Sequence, residues 1–182
     1  MSTKIKLHQK IHNCRKILIL GEPGSGKNYL GEKIAVHLGL PFKDVDDIIW
    51  KRKFDIRRHR ELRKKMVEAE TKKEKWVFVG IPATWAQHSV DKAQVIIILR
   101  ERILIEIIRI FVRFVKRNYF AKKPKETLKS VLELIKWNYQ KFHKKDGDKR
   151  ILIEKIARKN VSKTYILQSR HEVNLLLEML LK

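Results

Sequence analysis

The chain has 182 residues, and its 43 lysines and arginines against 20 aspartates and glutamates give a formal net charge of +23. With 43% hydrophobic residues, 7 glycines and 4 prolines, the composition excludes a disordered or collagen-like chain and predicts one helix-rich domain over residues 1–182. The large positive charge favours polyanionic partners such as nucleotides and nucleic acids, but it carries no information about the fold.

The cysteine count and the apolar segments bear on the compartment. A lone cysteine, Cys14, excludes an internal disulfide and suits a reducing environment. Residues 1–14 contain no apolar segment of signal-peptide length, and we expect a basic, partly ordered lead-in there. Charged residues interrupt the very apolar stretch 103–115 before it reaches membrane-spanning length. We therefore expect a cytoplasmic protein that does not enter a membrane.

The most informative stretch lies near the N-terminus. An apolar run at residues 17–20 is followed by a glycine-rich loop and then by the apolar spacing of a helix. This order, together with the spacing Gly-x-x-x-x-Gly-Lys, is typical of a phosphate-binding loop. Its main-chain N–H groups and the start of the helix attract phosphate oxygens, and the lysine reaches the outer phosphates. The predicted nucleotide-binding residues are Gly21, Glu22, Pro23, Gly24, Ser25, Gly26, Lys27 and Asn28.

One residue of this loop departs from the usual motif. The motif has Ser or Thr after the lysine because its hydroxyl binds Mg²⁺, and this chain has Asn28 there. An amide oxygen can bind a hard cation, but the Asn side chain is longer than that of Ser or Thr, so its oxygen does not occupy the position of their hydroxyl. We therefore expect Asn28 to be a weak metal ligand, and nucleotide binding to survive the change better than catalysis.

Acidic residues follow the second predicted strand, at about residues 40–45. Since ligands of α/β sheets bind at the carboxyl ends of strands, Asp44 and Asp46 are candidates for positioning a metal ion or a substrate. Capping of a helix that begins at Ile48 is the competing explanation. Both explanations stay open for Asp46, and capping is favoured for Asp47.

The remaining strands predict the fold class. Residues 51–75 read as a charged helix whose basic side chains form a solvated face or, with less support, a nucleic-acid contact surface. β-prone runs alternate with helices, which predicts an α/β fold in which helices flank a five-stranded parallel sheet. These runs lie at residues 76–80, 94–99 and 164–168. A capping box, Ser169-x-x-Glu172, then opens the last helix.

The helix predicted at about residues 101–119 carries a stripe of charge on an otherwise apolar surface. Guanidinium groups on such a stripe can clamp phosphates and offset the charge of phosphoryl transfer. A solvated face, with the glutamate paired to its neighbours, explains the spacing equally well. The segment at about 113–126 is a candidate lid. The stripe consists of Arg102, Glu106, Arg109, Arg113 and Arg117.

Taken together, these segments resemble the small P-loop proteins termed DNA topology-modulation proteins, within the adenylate-kinase-like family of nucleoside and nucleotide kinases. The resemblance spans about residues 15–180. It implies a five-stranded parallel sheet, a helical lid, ATP or GTP with Mg²⁺, and Arg109 and Arg113 as catalytic groups beside Lys27. The segments that carry it are GEPGSGKN, LPFKDVDDIIW, KWVFVG, QVIIIL followed by Arg109-x-x-x-Arg113, LIKWNYQKFHKK and YILQSRHEVNLLL.

The chain departs from that pattern at two places, both where metal and acceptor would be handled. Asn28 replaces Ser or Thr, and residues 79–82 replace an Asp-Gly-Asn-Tyr-like segment. Shikimate kinases have a similar Phe-x-Asp-x-Asp, which Phe42, Asp44 and Asp46 match, but this chain lacks their glycine cluster at the third strand. Phosphorylation of a small acid is therefore a distant alternative.

Two functional hypotheses follow. The first is an ATP-dependent phosphotransferase that acts on a nucleoside or nucleotide-like acceptor, with Lys27, Arg109 and Arg113 neutralising the transferred group. The second is a nucleotide-binding protein with weak catalysis that binds nucleic acid through its basic surface, with an affinity that falls steeply with salt.

Overall fold

Strands and helices alternate along the chain in a computed structural model, which describes residues 3–52, 56–80, 86–100, 107–112, 114–115, 131–133, 135–136 and 148–180. Short helical runs also occur within residues 107–115 and 131–136. Within the described ranges, no helix has the length and apolarity needed to cross a membrane. The elements are α1 (Thr3–His12), β1 (Lys16–Gly21), α2 (Lys27–Leu38), β2 (Phe42–Asp44), α3 (Val45–Ile49), β3 (Trp50–Arg52), β4 (Ile56–Arg57), α4 (Arg60–Lys72), β5 (Trp76–Gly80), α5 (Gln87–Lys92), β6 (Val95–Leu99), α6 (Asp148–Lys159), a 3₁₀ turn (Val161–Lys163), β7 (Thr164–Leu167) and α7 (Arg170–Leu180).

β1 is the central strand of a five-stranded sheet with the order β2-β5-β1-β6-β7. All four neighbouring pairs are parallel, and Ile19 of β1 lies opposite Val79 on one side and Ile97 on the other. The predicted five-stranded parallel sheet is therefore confirmed. Because the strand order reverses at β1, its carboxyl end opens into the crevice where α/β proteins bind ligands.

Two apolar layers cover the sheet, because successive side chains of a strand point to opposite faces. Ile17 and Ile19 of β1 belong to the core that includes residues of α1, α2 and α7. Leu18 and Leu20 belong to the core on the other face, with residues of α3, α4, α5 and α6. The fold is thus a three-layer α/β sandwich.

The N-terminal residues differ from the expectation. A partly ordered lead-in was predicted for residues 1–14, and the structure instead has helix α1 there. Leu7 and Ile11 are fully buried in the same core as Leu176 and Leu180 of α7. The two α1 residues are four positions apart and share one helix face, so a single apolar stripe anchors an otherwise basic segment.

The predicted helix over residues 51–75 is wrong at its start. A short antiparallel hairpin, β3 and β4, separates α3 from α4. The guanidinium of Arg58 donates to the main-chain carbonyls of Asp47, Ile48 and Trp50, which lie where α3 ends. Carbonyls at the end of a helix lack hydrogen-bond donors within the helix, and the Arg58 guanidinium supplies the donors here. Arg57 packs over the Trp50 ring at 4.6 Å to its centroid.

Close packing under α2 yields a stability prediction. A β-carbon at Gly31 would stand 2.4 Å from Val79 Cγ1 and 3.0 Å from Phe42 Cε2. We expect Gly31→Val to lower the free energy of unfolding by about 3 kcal/mol, the upper range for overpacking. That corresponds to a melting temperature lower by roughly 6–12 °C for a chain of this size.

The matched control is Glu32→Val, on the exposed side of the same helix. It introduces the same β-branched residue without the clash, so thermal unfolding of the two variants isolates the packing term. Equal melting temperatures would contradict the close approach of α2 to the sheet.

A group of histidines joins α1 to α2. His8 Nε2 and His12 Nε2 are 3.1 Å apart, and the His12 ring centroid lies 5.4 Å from that of His37. Desolvation, followed by the positive charges of His8 and His37, lowers the pKa of His12 below its ordinary value of 6.5. The native state therefore takes up the His12 proton at a lower pH than the unfolded state does.

This difference predicts acid sensitivity. Between the lowered native pKa of His12 and its ordinary value of 6.5, the unfolded chain binds more protons, so stability falls as the pH is lowered through that window. We expect His12→Gln to lose less stability than the wild type between neutral and mildly acidic pH, measured by urea unfolding. His171→Gln, an exposed position on α7, is the control. Parallel losses in the wild type and in His12→Gln would contradict the prediction.

Candidate functional site

The glycine loop connects the end of β1 to the start of α2. Gly24 has φ 85° and Gly26 has φ 88°, a left-handed conformation that other residues rarely adopt. Gly26 is the N-cap of α2, and no side chain in the described part of the chain caps the helix there. The first turn of α2 therefore presents main-chain N–H donors and the positive end of the helix dipole near the carboxyl end of β1.

Lys27 folds back over this loop. Its Nζ donates to the carbonyl oxygen of Glu22 at 3.4 Å, and the N–H of Ser25 donates to the same carbonyl at 3.2 Å. The side chains of Glu22 and Ser25 are buried, and Pro23 is half-buried. The exposed groups of the loop are thus mainly backbone, with one lysine ammonium beside them.

Arg109 contacts the same loop from a distant part of the chain. Its Nη1 donates to the carbonyls of Gly24 at 3.2 Å and Ser25 at 3.4 Å. A β-carbon built on Gly26 would have Arg109 Nη1, at 3.9 Å, as its nearest neighbour. Two cationic side chains, those of Lys27 and Arg109, therefore contact carbonyls of the loop.

Several predicted residues of the charged stripe lie outside the described part of the chain. They are Arg102, Glu106, Arg113 and Arg117, and with them most of the candidate lid at 113–126. The catalytic role predicted for Arg113 stays a prediction.

Asp44 occupies the end of β2 and is 8% exposed. Its Oδ1 accepts from the Asp46 N–H at 2.9 Å, which makes Asp44 the N-cap of α3. Capping, which was favoured for Asp47 and was one of two alternatives for Asp46, is therefore wrong for both, because the helix begins at Val45, three residues earlier than predicted. Asp46 and Asp47 lie in the first turn of α3 instead.

The second oxygen of Asp44 reaches the glycine-loop helix. Asp44 Oδ2 accepts from Asn28 Nδ2 at 2.5 Å, so the end of β2 is tied to the first turn of α2. The sequence did not predict this contact, since the two residues are 16 positions apart. The available signal was that Asp44 ends one strand of the predicted parallel sheet and Asn28 comes after the loop that follows another, and the carboxyl ends of parallel strands share one edge.

These residues fit a nucleotide better than they fit a metal ion. Left-handed glycines without β-carbons, open main-chain donors and two cations suit a polyphosphate. At Asn28, the nitrogen rather than the oxygen adjoins the Asp44 carboxylate, which does not fit a cation held between the two side chains. Among the described residues, no group of three or more His, Cys, Asp or Glu is placed to hold a metal.

Solved structures with a similar fold include two kinases. The chain is similar to a shikimate kinase from Acinetobacter baumannii in complex with shikimate, with TM-score 0.53, 14% identity, and coverage of 95% of this chain and 94% of that one. It is also similar to a gluconokinase from Sinorhizobium meliloti 1021, with TM-score 0.50, 16% identity, and coverage of 92% and 89%.

Sequence comparison adds no closer relative. No protein-family model and no curated protein matches the chain. The resemblance to topology-modulation proteins thus stays a prediction. At identities this low, likeness to solved structures establishes the fold alone: the chain has a three-layer α/β fold similar to that of these two proteins.

Proposed function

We propose that the chain is an ATP-dependent phosphotransferase that acts on a hydroxyl group of a small molecule, with GTP as the alternative donor. The observation that carries the proposal is that Lys27 and Arg109 both contact the glycine loop at the carboxyl edge of the sheet. The helix that follows this loop has Gly26 as its N-cap, and no side chain of the described residues caps it. Phosphoryl transfer needs positioning and charge neutralisation more than covalent chemistry, and this arrangement supplies both.

Each part of the site has a role in this proposal. The main chain of residues 21–28 holds the phosphates, while Lys27, Arg109 and Arg113 offset the negative charge that builds up during transfer. Mg²⁺ bound with ATP would supply further charge neutralisation during transfer, while Asn28 and Asp44 offer no site for it between their side chains.

We propose that the acceptor binds on the β2 side of the loop. Asp44 ends β2, and Asp46 lies two residues later in the first turn of α3. Carboxylates at this edge can accept hydrogen bonds from substrate hydroxyls. The sequence resemblance favours a nucleoside or nucleotide-like acceptor, whereas the fold neighbours are kinases of shikimate and gluconate.

A transfer assay tests the proposal directly. The protein is incubated with γ-labelled ATP or GTP and a panel of nucleosides, nucleoside monophosphates, shikimate and gluconate, and labelled product is counted. We expect transfer to a member of the panel by the wild type and none by Lys27→Ala. ATP binding without transfer to any acceptor would overturn the enzymatic proposal.

A second candidate function rests on exposed charge. Arg60, Lys64 and Lys65 are exposed along α4, beside the exposed Arg57 of the hairpin. This surface supports a nucleotide-binding protein with weak catalysis that holds nucleic acid through phosphate contacts. The affinity for nucleic acid would fall steeply with salt concentration and depend little on the nucleotide sequence. Nucleic-acid binding that salt does not weaken would exclude this second function.

A further inference from the structure

The contact between Asn28 and Asp44 lies where a P-loop protein ordinarily places a hydroxyl ligand for Mg²⁺. Asn28 belongs to the first turn of α2, directly after Lys27, and Asp44 closes β2. Their side chains meet at 2.5 Å between Nδ2 and Oδ2. The residue that breaks the motif is therefore engaged with a buried carboxylate of a neighbouring strand.

The chemistry of the two groups fixes the orientation of the amide. An ionised carboxylate only accepts hydrogen bonds, so Asn28 has to present its NH₂ group to Asp44. A Mg²⁺ ion lies about 2.0–2.1 Å from each of its oxygen ligands, which leaves no room for an ion between atoms in direct contact. The amide nitrogen thus occupies the position of a cation beside the carboxylate.

The buried carboxylate also has partners from within the chain on both of its oxygens. Asp44 is 8% exposed, Oδ1 accepts from the Asp46 N–H, and Oδ2 accepts from Asn28. A buried charge needs hydrogen bonds or a counter-ion, and here the protein supplies hydrogen bonds. The link between the nucleotide loop and β2 is therefore complete without an ion.

From this geometry we infer that the Asn28 amide replaces a divalent cation between α2 and β2, so that nucleotide affinity does not depend on Mg²⁺. The inference rests on the proposed nucleotide binding at the same loop. It concerns the binding of the nucleotide and not the rate of transfer.

The first test measures ATP affinity by calorimetry with Mg²⁺ and with EDTA. For the wild type we expect the two affinities to agree within about twofold, whereas Asn28→Ser, which restores a hydroxyl at this position, gains a dependence of about tenfold or more. Asn160→Ser is the matched control, because Asn160 donates to the Ile156 carbonyl far from the loop in sequence. It is expected to behave as the wild type.

The second test needs no nucleotide. Asn28→Asp would place two carboxylates in contact, and a divalent cation would then bind between them and stabilise the fold. We expect millimolar Mn²⁺ or Mg²⁺ to raise the melting temperature of Asn28→Asp and to leave the wild type unchanged. Asn160→Asp adds the same charge elsewhere and is expected to show no rise.

The outcomes separate the two proposals. A wild type that binds ATP about tenfold more tightly with Mg²⁺ would overturn the inference and leave the proposed function standing. Unchanged Mg²⁺ dependence in Asn28→Ser, or an Asn28→Asp protein that divalent ions do not stabilise, would overturn the role assigned to Asn28. A wild type that binds no nucleotide under either condition would overturn the proposed function, and the inference with it.

Discussion

Replacing Lys27 by alanine is expected to weaken ATP binding about 10- to 100-fold, measured by calorimetry or by competition with a fluorescent analogue. The lysine ammonium lies over the glycine loop, 3.4 Å from the Glu22 carbonyl, and is positioned to exchange that carbonyl for a phosphate oxygen. A hydrogen bond to a charged group contributes about 1.5–3 kcal/mol, which gives the expected range.

Lys33→Ala is the matched control for this experiment. Lys33 is on the same helix, is exposed, and lies 6.0 Å from the centre of the Tyr29 ring. Both variants lower the net charge by the same amount, so any difference between them comes from the position of Lys27. Equal affinities in the two variants would show that the general positive field, rather than the loop, holds the nucleotide.

Arg109→Ala is expected to lower the turnover number about 10³-fold in the transfer assay, with a much smaller change in KM for ATP. Its guanidinium donates to the Gly24 and Ser25 carbonyls, so it stands beside the loop where the phosphates are proposed to bind. Arg109→Lys should recover only part of the rate, because an ammonium is a single point charge without the planar fork of a guanidinium.

Arg100→Ala serves as the control for Arg109. The Arg100 side chain is about half exposed and lies 3.9 Å from Glu154, a surface pair of little energetic weight. Melting temperatures of both variants test whether a rate loss reflects unfolding. An Arg109→Ala protein with wild-type turnover would remove this residue from the proposed mechanism.

The sheet was predictable because its signal is local. Runs such as residues 76–80 and 95–99 are β-prone and free of charged or amide side chains, and they coincide with β5 and β6. Gly39 ends α2 in a left-handed conformation, and Ser169 accepts from the Glu172 N–H in the predicted capping box. In these places the propensity, the pattern and the tertiary environment agree.

Elements that depend on distant partners were not predictable in the same way. α1 is held by the burial of Leu7 and Ile11 against helices far along the chain, and its basic composition conceals this. The β3–β4 hairpin depends on Arg58, whose guanidinium donates to carbonyls at the end of α3. Charged residues in a helical-looking run give no local sign of such a contact.

For the candidate site, the motif predicted the residues of the loop but not their partners. The position of the loop between β1 and α2 follows from its glycines and from the flanking apolar runs. The contact of Asn28 with Asp44 depends on the register of β2 beside β5, which no local pattern encodes.

The close packing of α2 against the sheet affects which residues can rearrange when a ligand binds. Gly31 lies directly against Val79 and Phe42, and Asn28 donates to Asp44, so the first two turns of α2 are held to the sheet at two points. We therefore expect α2 to keep its position on the sheet when a ligand binds, and any rearrangement on binding to involve Arg109, which reaches the loop through two hydrogen bonds.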